Sequence, residues 1–437
     1  MKIAFHTLGC KVNQYETQIL KEKFIKKGYK LSEDGEISDI YVINTCTVTA
    51  LSNKKSKQFI RKALRENENA VIVVTGCFAQ VNPDEAMSIE GVSIVCGTNE
   101  KNNIIEYVEK YLLDKKKISK IKNYDELNYY EETGIIHDMD SRTRAFVKIQ
   151  EGCNCFCSYC IIPFARGPVR SRELDDILTE VKTLVDSGYK EVVLTGINTA
   201  LYGFETGELE LSNLVKQVND IEGDFRIRIG SLEPNVIGVA HLKNLLKYNK
   251  LCHHMHLSLQ SGSNKILKEM NRNYDASTFS TLIKSLREFD DLYSITTDII
   301  VGFPGESEED FNESMNIVRD SQFGKVHVFK YSKREMTKAS TMENQIPSTI
   351  KTLRSNSLAE LANKTSKEFL KRNIGSVAKV LIEEINLAEN QIIGYSDNYI
   401  RVYIDYIKGN IEESINKFQK VYLLEIYKDG LKGKIIL

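Results

Sequence analysis

The chain of 437 residues contains no tryptophan, only six prolines and almost no net charge, because 60 acidic residues balance 59 basic ones. A nucleic-acid-binding protein is often strongly basic, so any contact with RNA must come from a local patch. No apolar run approaches the ~18 residues of a membrane span, and the first residues are too polar for a signal peptide. These absences predict a cytoplasmic protein without a membrane segment.

Several common catalytic motifs are absent as well. The sequence has no Walker loop, no G-x-G-x-x-G and no H-E-x-x-H. Its seven histidines include His253, His254 and His256. Alternation along a strand places His254 and His256 on one face. Because no Cys/His spacing extends beyond Cys252, we interpret these histidines as structural rather than as zinc ligands.

The segment 1–113 repeats one pattern, in which a buried apolar run ends in a cysteine and an amphipathic stretch follows. The runs KIAFHTLGC, IYVINTC and VIVVTGC end in Cys10, Cys46 and Cys77. Alternating strands and helices predict a parallel sheet, and ligands gather beyond the carboxyl ends of its strands. We therefore expect three thiols to converge there, although buried strand-end cysteines also occur as ordinary core residues. A fourth run, VSIVC, ends in Cys96, and the pattern alone does not exclude this cysteine.

The rest of the chain divides into a connector and two further domains. Residues 114–140 are highly charged without a clear period, which is typical of a connector. Residues 141–372 contain six strand-like runs separated by helical patterns, which predict an open, TIM-like partial barrel with its chemistry at the carboxyl ends of the strands. Residues 373–437 contain short β-type runs broken by Gly, Asn and Asp, which predict a small antiparallel barrel. The fold class is thus a multidomain α/β protein.

One stretch of the predicted barrel domain is locally basic. Tyr331–Arg372 contains nine Lys or Arg and four Asp or Glu, which leaves a net charge of +5. This excess indicates either a contact with RNA or the solvated face of a helix, and charge alone does not separate the two.

The densest group of cysteines lies in EGCNCFCSYC, which holds Cys153, Cys155, Cys157 and Cys160 out of nine in the chain. Clustered thiols in a cytoplasmic protein indicate metal or redox chemistry rather than disulfides. Without Cys155 the spacing is C-x3-C-x2-C, and three such thiolates can hold three irons of a [4Fe–4S] cluster with the fourth iron open. A structural zinc site is the competing interpretation, but its ligand pairs usually come from two separated loops. In an extended loop Cys155 would point away from Cys153 and Cys157, so we interpret it as a spare thiol.

These motifs, in this order, resemble the radical S-adenosylmethionine (SAM) methylthiotransferase family. The resemblance is carried by HTLGCKVNQYE, VINTCTV, VTGC, KIQEGCNCFCSYCIIPFARG, VVLTGINTALYG, LSLQSGSNKILKEMNR and TDIIVGFPGE. It covers residues 3–332, and the tail is similar to the family's C-terminal TRAM domain. The resemblance implies an N-terminal methylthiotransferase domain over 1–113, a radical SAM barrel over 141–372 and a TRAM domain over 373–437.

The resemblance also implies cofactors and their sites. Cys10, Cys46 and Cys77 would ligate an auxiliary [4Fe–4S] cluster, and Cys153, Cys157 and Cys160 would ligate the [4Fe–4S] cluster that binds SAM. Cys96 stands where the family usually has a residue that is not a ligand. Motifs that line the SAM pocket match the neighbourhoods of Gly196, Glu233, Gln260 and Gly302. The implied reaction replaces the C–H bond at adenine C2, which offers no acidic proton and no leaving group, so a radical cofactor must carry that step.

Within the family, GCKVNQYE is similar to the MtaB type, whose implied substrate is N6-threonylcarbamoyladenosine next to the tRNA anticodon. Related branches act on isopentenyladenosine in tRNA or on an aspartate of a ribosomal protein. A zinc-stabilised RNA-binding protein without catalysis is the alternative from another class. The implied partners are tRNA, an electron donor and a sulfur source, and the sequence identifies neither the donor nor the source. A cation is expected to meet the substrate carboxylate, with Arg166 and Arg170 as the nearest candidates.

Two features depart from the family pattern. Cys155 stands where the family usually has Asn or Asp. The segment HVFKYSKREMTKAS differs from the family's Pro-Tyr-Ser-x-Arg-x-Gly-Thr at Lys330 and Met336. Glycine tolerates a positive φ and methionine does not, so this departure leaves the conformation of the loop open.

Overall fold

The computed structural model describes residues 1–33, 35–138, 143–406 and 411–436. Its helices are α1 (Lys11–Lys26), α2 (Ala50–Glu66), α3 (Cys77–Val81), α4 (Pro83–Ser88), α5 (Ile104–Asp114), α6 (Ile162–Arg166), α7 (Leu174–Asp186), α8 (Leu211–Asp220), α9 (Pro234–Leu245), α10 (Asn264–Glu269), α11 (Ala276–Phe289), α12 (Glu308–Ser321) and α13 (Ser348–Arg372). Its strands are β1 (Lys2–Thr7), β2 (Lys30–Leu31), β3 (Ile40–Thr45), β4 (Val71–Gly76), β5 (Val92–Cys96), β6 (Ile118–Lys120), β7 (Arg144–Lys148), β8 (Gln150–Glu151), β9 (Arg170–Ser171), β10 (Glu191–Thr195), β11 (Arg226–Ile229), β12 (His254–His256), β13 (Ser294–Val301), β14 (Lys325–Lys330), β15 (Val377–Asn386), β16 (Gln391–Ser396), β17 (Arg401–Asp405), β18 (Phe418–Tyr427) and β19 (Gly430–Ile435).

The N-terminal sheet is parallel throughout, in the order β2-β1-β3-β4-β5-β6. Its four central strands are those that the apolar runs predict. Every residue of β3 and β4 is buried, because helices cover both faces of a parallel sheet, and this explains their uninterrupted apolar sequences. The edge strands β2 and β6 have only two and three residues, which is too short for a periodic signal in the sequence.

The middle of the chain forms a half-barrel of six parallel strands. Two three-stranded sheets, β7-β10-β11 and β12-β13-β14, are joined by isolated bridges from Ile227 to Leu251 and from Leu232 to Leu257. These are the six strands of the predicted open barrel, so the expected architecture is confirmed. One buried cluster spans both sheets and includes Tyr15 of α1, so the N-terminal domain shares the barrel core. The predicted boundary between residues 140 and 141 lies outside the described residues.

The helices that surround the half-barrel start in two different ways. α12 begins with a capping box, in which Ser307 accepts from the Asp310 amide at 3.2 Å and the Asp310 carboxylate accepts from the Ser307 amide at 2.8 Å. α6 has only five residues and no side-chain cap, and Pro163 lies in its first turn. Such a short helix depends on tertiary contacts rather than on its own propensity.

The C-terminal strands close into a small barrel in the order β15-β16-β17-β19-β18. The sequence predicts antiparallel pairing, but β17 and β19 are parallel. A ring of five strands cannot alternate direction at every neighbour, so closure forces one parallel pair. The barrel is attached to the half-barrel by an ion pair between Arg144 Nε and Glu383 Oε1 at 2.7 Å. In the described parts of the chain, no helix has the length and apolar character of a membrane span.

Candidate metal centres

Cys10, Cys46 and Cys77 meet at the carboxyl edge of the N-terminal sheet. Cys10 precedes α1, Cys46 follows β3, and Cys77 begins α3 directly after β4. Cys10 is exposed, whereas Cys46 and Cys77 are buried. Burial raises the pKa of Cys77 to about 11, and the neighbouring Cys10 and Cys46 add to that shift. The structure therefore brings together the three thiols that the sequence pattern singles out.

Two glycines make this convergence possible. Gly9 has a φ of +104°, and a Cβ built on it would lie 3.0 Å from Cys46 Sγ. Gly76 has a φ of +91°, and a Cβ there would lie 2.5 Å from the Thr45 carbonyl oxygen. A side chain at either position would be strained and would push the cysteine-bearing turns apart.

Cys96 and Cys252 stay apart from the three thiols at that edge. Cys96 is fully buried in the apolar cluster of the N-terminal sheet. Its charged neighbours are Glu100, Lys101 and Glu131 rather than other cysteines. Cys252 is buried beside Arg228 under the half-barrel. The ambiguity that the sequence leaves over Cys96 is therefore settled by its position in the core.

An arginine that follows Cys160 in the chain reaches the first thiol site, which is formed by Cys10, Cys46 and Cys77. Arg166, at the end of α6, donates from Nε to Cys77 Sγ at 3.3 Å. Its other nitrogens donate to the carboxylates of Glu16 and Glu151 and to the side-chain oxygen of Asn13. The side chain is fully buried and its donors are occupied, so the expectation that it meets the substrate carboxylate is wrong.

Arg170 is unsuited to that role because its side chain is enclosed, although its Nε has no hydrogen-bond partner among the described residues. It is buried, and it donates to the carbonyl oxygens of Leu127 and Arg166. Its guanidinium also lies 3.8 Å from Glu151 Oε2. Both arginines thus belong to the packing between α6 and the N-terminal domain.

Around Arg166 lies a buried network of charges that joins the N-terminal domain to the half-barrel. Lys101 Nζ and Lys148 Nζ each lie 3.3 Å from a carboxylate oxygen of Glu16. Burial acts to raise the pKa of Glu16, but Arg166, Lys101 and Lys148 outweigh it and lower that pKa to about 2. The carboxylate is therefore held ionised, and the network positions Arg166 against Cys77.

The second thiol loop follows β7 and β8 and holds Cys153, Cys157 and Cys160. The Cys160 amide donates to the Cys157 carbonyl at 2.9 Å, which closes a tight turn. Arg272 donates from Nη1 to Cys157 Sγ at 3.1 Å, and its Nη2 lies 2.7 Å from Glu233 Oε1. Burial raises the pKa of Glu233, against the effect of Arg272. Each thiol group thus has one cysteine sulfur in contact with a buried arginine.

Cys155 lies in this loop, and the expectation that it points away from its neighbours is wrong. Its thiol interacts with that of Cys153, and this interaction raises the pKa of Cys155 further than burial does. Asn198 Nδ2 also donates to Cys155 Sγ at 3.7 Å. The loop is not extended, because Phe156 has a φ of +43° and reverses the chain. Asn271 holds this turn by donating to the Cys155 and Phe156 carbonyl oxygens at 3.2 and 3.1 Å.

The helix α6 connects the two thiol groups. It begins two residues after Cys160, packs against α3, and ends at Arg166 beside Cys77. Thr98 Oγ1 also donates to the Ala165 carbonyl at 2.9 Å and secures the helix to the N-terminal domain. The two groups of cysteines therefore lie on either side of one short helix.

The spacing of the sulfurs favours clusters over single ions. Within the described residues, no three cysteine sulfurs lie within 4.8 Å of one another. One tetrahedral zinc ion with Zn–S bonds of about 2.3 Å would draw its thiolates to about 4 Å. A four-iron cube spreads three thiolates over its corners and needs the wider spacing.

Buried groups beside both sites also fit bound cofactors. Arg334 is buried next to Cys46, and its Nε and Nη2 find no hydrogen-bond partner among the described residues. A buried guanidinium without an acceptor is costly, and an anionic cluster on the thiolates would supply that acceptor. Near the other loop, Asn198 Oδ1 likewise has no donor within the described part of the chain.

The four predicted SAM-pocket residues lie at the mouth of the half-barrel, each after a different strand. They are Gly196, Glu233, Gln260 and Gly302, which follow β10, β11, β12 and β13. A Cβ on Gly196 would lie 2.9 Å from Gln150 Oε1, and Gln260 has a φ of +70°. The thiol loop follows β7 at the same mouth, so the residues share one end of the barrel with Cys153, Cys157 and Cys160.

A separate cavity of about 910 Å³ runs along the inside of the half-barrel. It is lined by Lys11 of α1, the inner faces of β12 to β14, part of α13 and Tyr395 and Tyr399 of the C-terminal barrel. The cavity adjoins the mouth, because the Gln260 amide donates to the carbonyl of the lining residue Asp298 at 2.8 Å. Sequence patterns did not reveal it, since it forms between three separate domains.

The strand histidines point into this cavity. His254 Nε2 and His256 Nδ1 both bond Thr296 Oγ1, at 3.1 and 3.0 Å, which confirms that they share a face. His256, Asp298 and His327 place one ligand atom each within 4.8 Å of one another. They lie on the three neighbouring strands β12, β13 and β14, an arrangement that the sequence did not suggest.

The loop after β14 keeps a conformation that suits glycine. Met336 has a φ of +69° although it is not glycine, and its side chain is exposed. The same loop carries Arg334 to Cys46. The departure at Met336 therefore leaves the positive φ in place at the expense of local strain.

Comparison with known proteins agrees with this architecture. Residues 2–97 match the model of the uncharacterized protein family UPF0004, and residues 147–318 match that of the radical SAM superfamily. Among solved structures, the radical S-adenosylmethionine methyltransferase TsrM from Kitasatospora setae superimposes with a TM-score of 0.58 at 13% identity, over 78% of this chain and 76% of that one. At this identity the likeness shows the fold alone.

Curated relatives match almost the whole chain. The threonylcarbamoyladenosine tRNA methylthiotransferase MtaB of Bacillus subtilis is 42% identical over 99% of this chain and 97% of its own length. That of Thermotoga maritima is 38% identical over 98% and 96%. The tRNA-2-methylthio-N(6)-dimethylallyladenosine synthase of Clostridium tetani is 36% identical over 98% and 95%. With its two groups of cysteines and its half-barrel, this chain belongs to the radical SAM methylthiotransferase family and is of the MtaB type.

Proposed function

We propose that this protein is a tRNA methylthiotransferase that converts N6-threonylcarbamoyladenosine next to the anticodon to its 2-methylthio derivative. One observation carries the proposal: two groups of three cysteines lie on either side of α6, and each has an arginine on one sulfur. A reaction that needs two clusters in one active site requires such an arrangement. The near full-length identity to proteins named for this activity supports the substrate.

Radical SAM methylthiotransferases use SAM and [4Fe–4S] clusters, and the cysteines of this chain fit two such clusters. Cys10, Cys46 and Cys77 hold the auxiliary cluster, and Cys153, Cys157 and Cys160 hold the cluster that binds SAM. When bound, these groups supply the radical that activates the adenine C–H bond and the sulfur that replaces its hydrogen.

The side chains of the protein prepare these sites. Arg166 and Arg272 donate N–H groups to cysteine sulfurs, which stabilises the negative charge that a thiolate-bound cluster carries. Gly196, Glu233, Gln260 and Gly302 line the SAM pocket at the mouth of the half-barrel. Glu233 fixes Arg272 through the 2.7 Å ion pair, so that the guanidinium stays on Cys157.

The tRNA is held by the C-terminal TRAM domain, residues 373–437, and by the basic stretch Tyr331–Arg372. Tyr395 and Tyr399 face the cavity, where aromatic rings can stack on unpaired bases. We divide the remaining chain into the methylthiotransferase domain 1–113, the connector 114–140 and the radical SAM barrel 141–372. The protein acts in the cytoplasm with a separate electron donor and a sulfur source, which are still to be identified.

The test is turnover on defined tRNA. Anaerobically reconstituted protein with SAM, a reductant and a sulfur source is incubated with tRNA that carries threonylcarbamoyladenosine or isopentenyladenosine, and digested nucleosides are measured by mass spectrometry. We expect 2-methylthio product on the first tRNA and none with the Cys153→Ala variant. Product on isopentenyladenosine alone would favour the activity for which the Clostridium tetani relative is named.

A cellular measurement complements this assay. tRNA from cells that lack the gene should lose 2-methylthio-N6-threonylcarbamoyladenosine and retain its unthiolated precursor. Retention of the methylthio nucleoside would contradict the proposed substrate.

A further inference from the structure

Six cationic side chains line the large cavity, and they differ in how their charges are balanced. Three of them are paired: Arg228 with Glu191 at 2.9 Å, Arg401 with Glu384 at 3.0 Å, and Lys428 with Glu389. The other three, Lys11, Lys325 and Lys367, form no ion pair or side-chain hydrogen bond among the residues that the structure describes.

These three lysines are not equivalent. Lys325 and Lys367 are exposed, so water solvates their ammonium groups. Lys11 is only partly accessible, and its ammonium lies 5.9 Å from the centre of the Phe146 ring. An ammonium that is partly withdrawn from water and forms no ion pair is unfavourable. Lys11 is therefore the lysine of this cavity that gains most from an anionic ligand.

The position of Lys11 is fixed by the fold. It is the first residue of α1 and follows Cys10 directly, so it stands between the first thiol group and the cavity. α1 is anchored to the half-barrel through Tyr15, whose hydroxyl lies 3.1 Å from Glu180 Oε2. The N-terminus of the helix adds positive potential at the same point.

We propose that Lys11 binds the carboxylate of the threonylcarbamoyl group and thereby selects the substrate. This inference rests on the proposed function. The N6 substituent ends in a carboxylate that is ionised at neutral pH, whereas an isopentenyl group has no charge. The modified base must approach Cys10 to receive sulfur, and Lys11 is the adjacent residue in the chain. The phosphates of the tRNA meet the exposed Lys325 and Lys367 at the rim.

The experiment removes the negative charge of the substrate carboxylate and the positive charge of Lys11, first separately and then together. Two anticodon stem-loop RNAs are prepared, one with N6-threonylcarbamoyladenosine and one with the methyl ester of the same nucleoside, which lacks the negative charge. Binding to anaerobically reconstituted holoenzyme is measured by fluorescence anisotropy for the wild type and for Lys11→Gln, Lys11→Arg and Lys367→Gln. Iron content is measured for each preparation, because Lys11 neighbours a candidate cluster ligand.

We expect the ester to weaken binding to the wild type by roughly 10- to 100-fold, the range of a hydrogen bond between charged groups. Lys11→Gln should lose about the same factor on the acid, and the ester should then make less than about a twofold difference. Lys11→Arg keeps the charge and should keep the ester penalty. Lys367→Gln should bind both RNAs more weakly by the same factor, because it meets phosphate, and should retain the full ester penalty.

Two results would contradict the role of Lys11 in binding the carboxylate. A full ester penalty in Lys11→Gln would place the carboxylate elsewhere, and no penalty in the wild type would show that the carboxylate is not recognised; either result overturns the inference. If Lys11→Gln loses iron, the ester penalty of Lys11→Arg decides, and its absence counts against Lys11. Failure of the wild type to thiolate threonylcarbamoyladenosine RNA in the turnover assay would instead remove the proposed function.

Discussion

The two thiol sites have the same contact but are supported differently. At the first site Arg166 lies 3.3 Å from Cys77 Sγ, and at the second Arg272 lies 3.1 Å from Cys157 Sγ. The first site collects its cysteines from the ends of separate elements, whereas the second takes all of its cysteines from one loop. A site assembled from distant segments needs rigid support, and a site within one loop needs a turn of the correct shape.

The charges around the two arginines reflect this difference. Arg166 binds two carboxylates within a network that holds the pKa of Glu16 at about 2. Among the described residues, Arg272 forms its ion pair with Glu233 only, and burial raises the pKa of that carboxyl. Removal of Arg272 would let Glu233 take up a proton, whereas removal of Arg166 would leave ionised groups buried. The first site is therefore supported by carboxylates that stay ionised. The second is supported by an ion pair whose carboxyl group, Glu233, can take up a proton.

The largest expected effect separates the two sites chemically. Reconstituted wild type should hold roughly eight irons per chain, as two four-iron clusters. Cys153→Ala should lose about half of that iron and all SAM cleavage, because the proposed SAM-binding cluster would lose one of its three ligands. Iron analysis and chromatography of 5′-deoxyadenosine measure both. Uptake of zinc with no more than about one iron would contradict the two-cluster assignment.

The complementary variant changes the first site only. With Cys10, Cys46 and Cys77 all replaced by alanine, the protein should retain about half of the iron and still cleave SAM, but it should form no methylthio product. The reason is that, in the proposed assignment, these thiols would hold the auxiliary cluster alone. Product formation at the wild-type rate would remove the auxiliary site from the mechanism.

The next effect concerns stability. Arg166→Met should lower the free energy of unfolding by about 3–5 kcal/mol, because it takes one cationic partner from each of two buried carboxylates, Glu16 and Glu151, which stay ionised. Arg272→Met should cost less, about 1–3 kcal/mol, because Glu233 can become neutral. Urea unfolding under anaerobic conditions gives both values. Equal losses would mean that the same kind of charge balance supports both arginines, and would contradict the difference between the two sites.

The pH dependence of stability tests the fixed charge directly. The folded pKa of Glu16, about 2, lies below its ordinary value of 4.5, so its ionised form stabilises the fold above pH 4.5. That contribution, up to about 3 kcal/mol, is lost as the pH falls from the ordinary value through the folded one. Glu16→Gln should lack this part of the pH dependence. Urea unfolding of the cluster-free protein between about pH 7 and about pH 3 measures it, and parallel curves for the two proteins would refute the argument.

The smallest effect is expected at the fourth cysteine of the loop. Cys155→Asn should keep the iron content and activity, and should resist air at least as well, because Asn removes an oxidisable thiol beside Cys153. Cys157→Ala is the matched control and should lose about half of the iron. Loss of iron in Cys155→Asn would show that this thiol takes part in holding the cluster.

Local patterns predicted much of the architecture. The apolar runs located the central strands of the N-terminal sheet and all six strands of the half-barrel. They did so because a buried strand needs a continuous or alternating apolar sequence whatever its surroundings. The five-stranded closure was only partly predictable, since the parallel pairing of β17 with β19 follows from the number of strands in the ring.

Side-chain roles were harder to predict where they depend on chain reversal or on burial. An extended loop predicts that Cys155 points away from its neighbours, but the positive φ of Phe156 turns the loop back, and no sequence pattern indicates this conformation. The position of Arg166 and Arg170 just after the thiol loop predicts that they are available to a substrate. The packing of α6 against the N-terminal domain instead encloses both side chains and occupies the donors of Arg166.

The sequence by itself determined which cysteines stand at strand ends and which share one loop, because those features depend only on spacing and local periodicity. Only the tertiary structure decided which charges meet. It placed Arg166 on Cys77 and excluded Cys96 from the first thiol site. It also left Lys11 without an ion pair among the described residues, on a cavity shared by three domains. Such contacts join residues far apart in the chain, and they depend on which surfaces pack together and on how much water that packing removes.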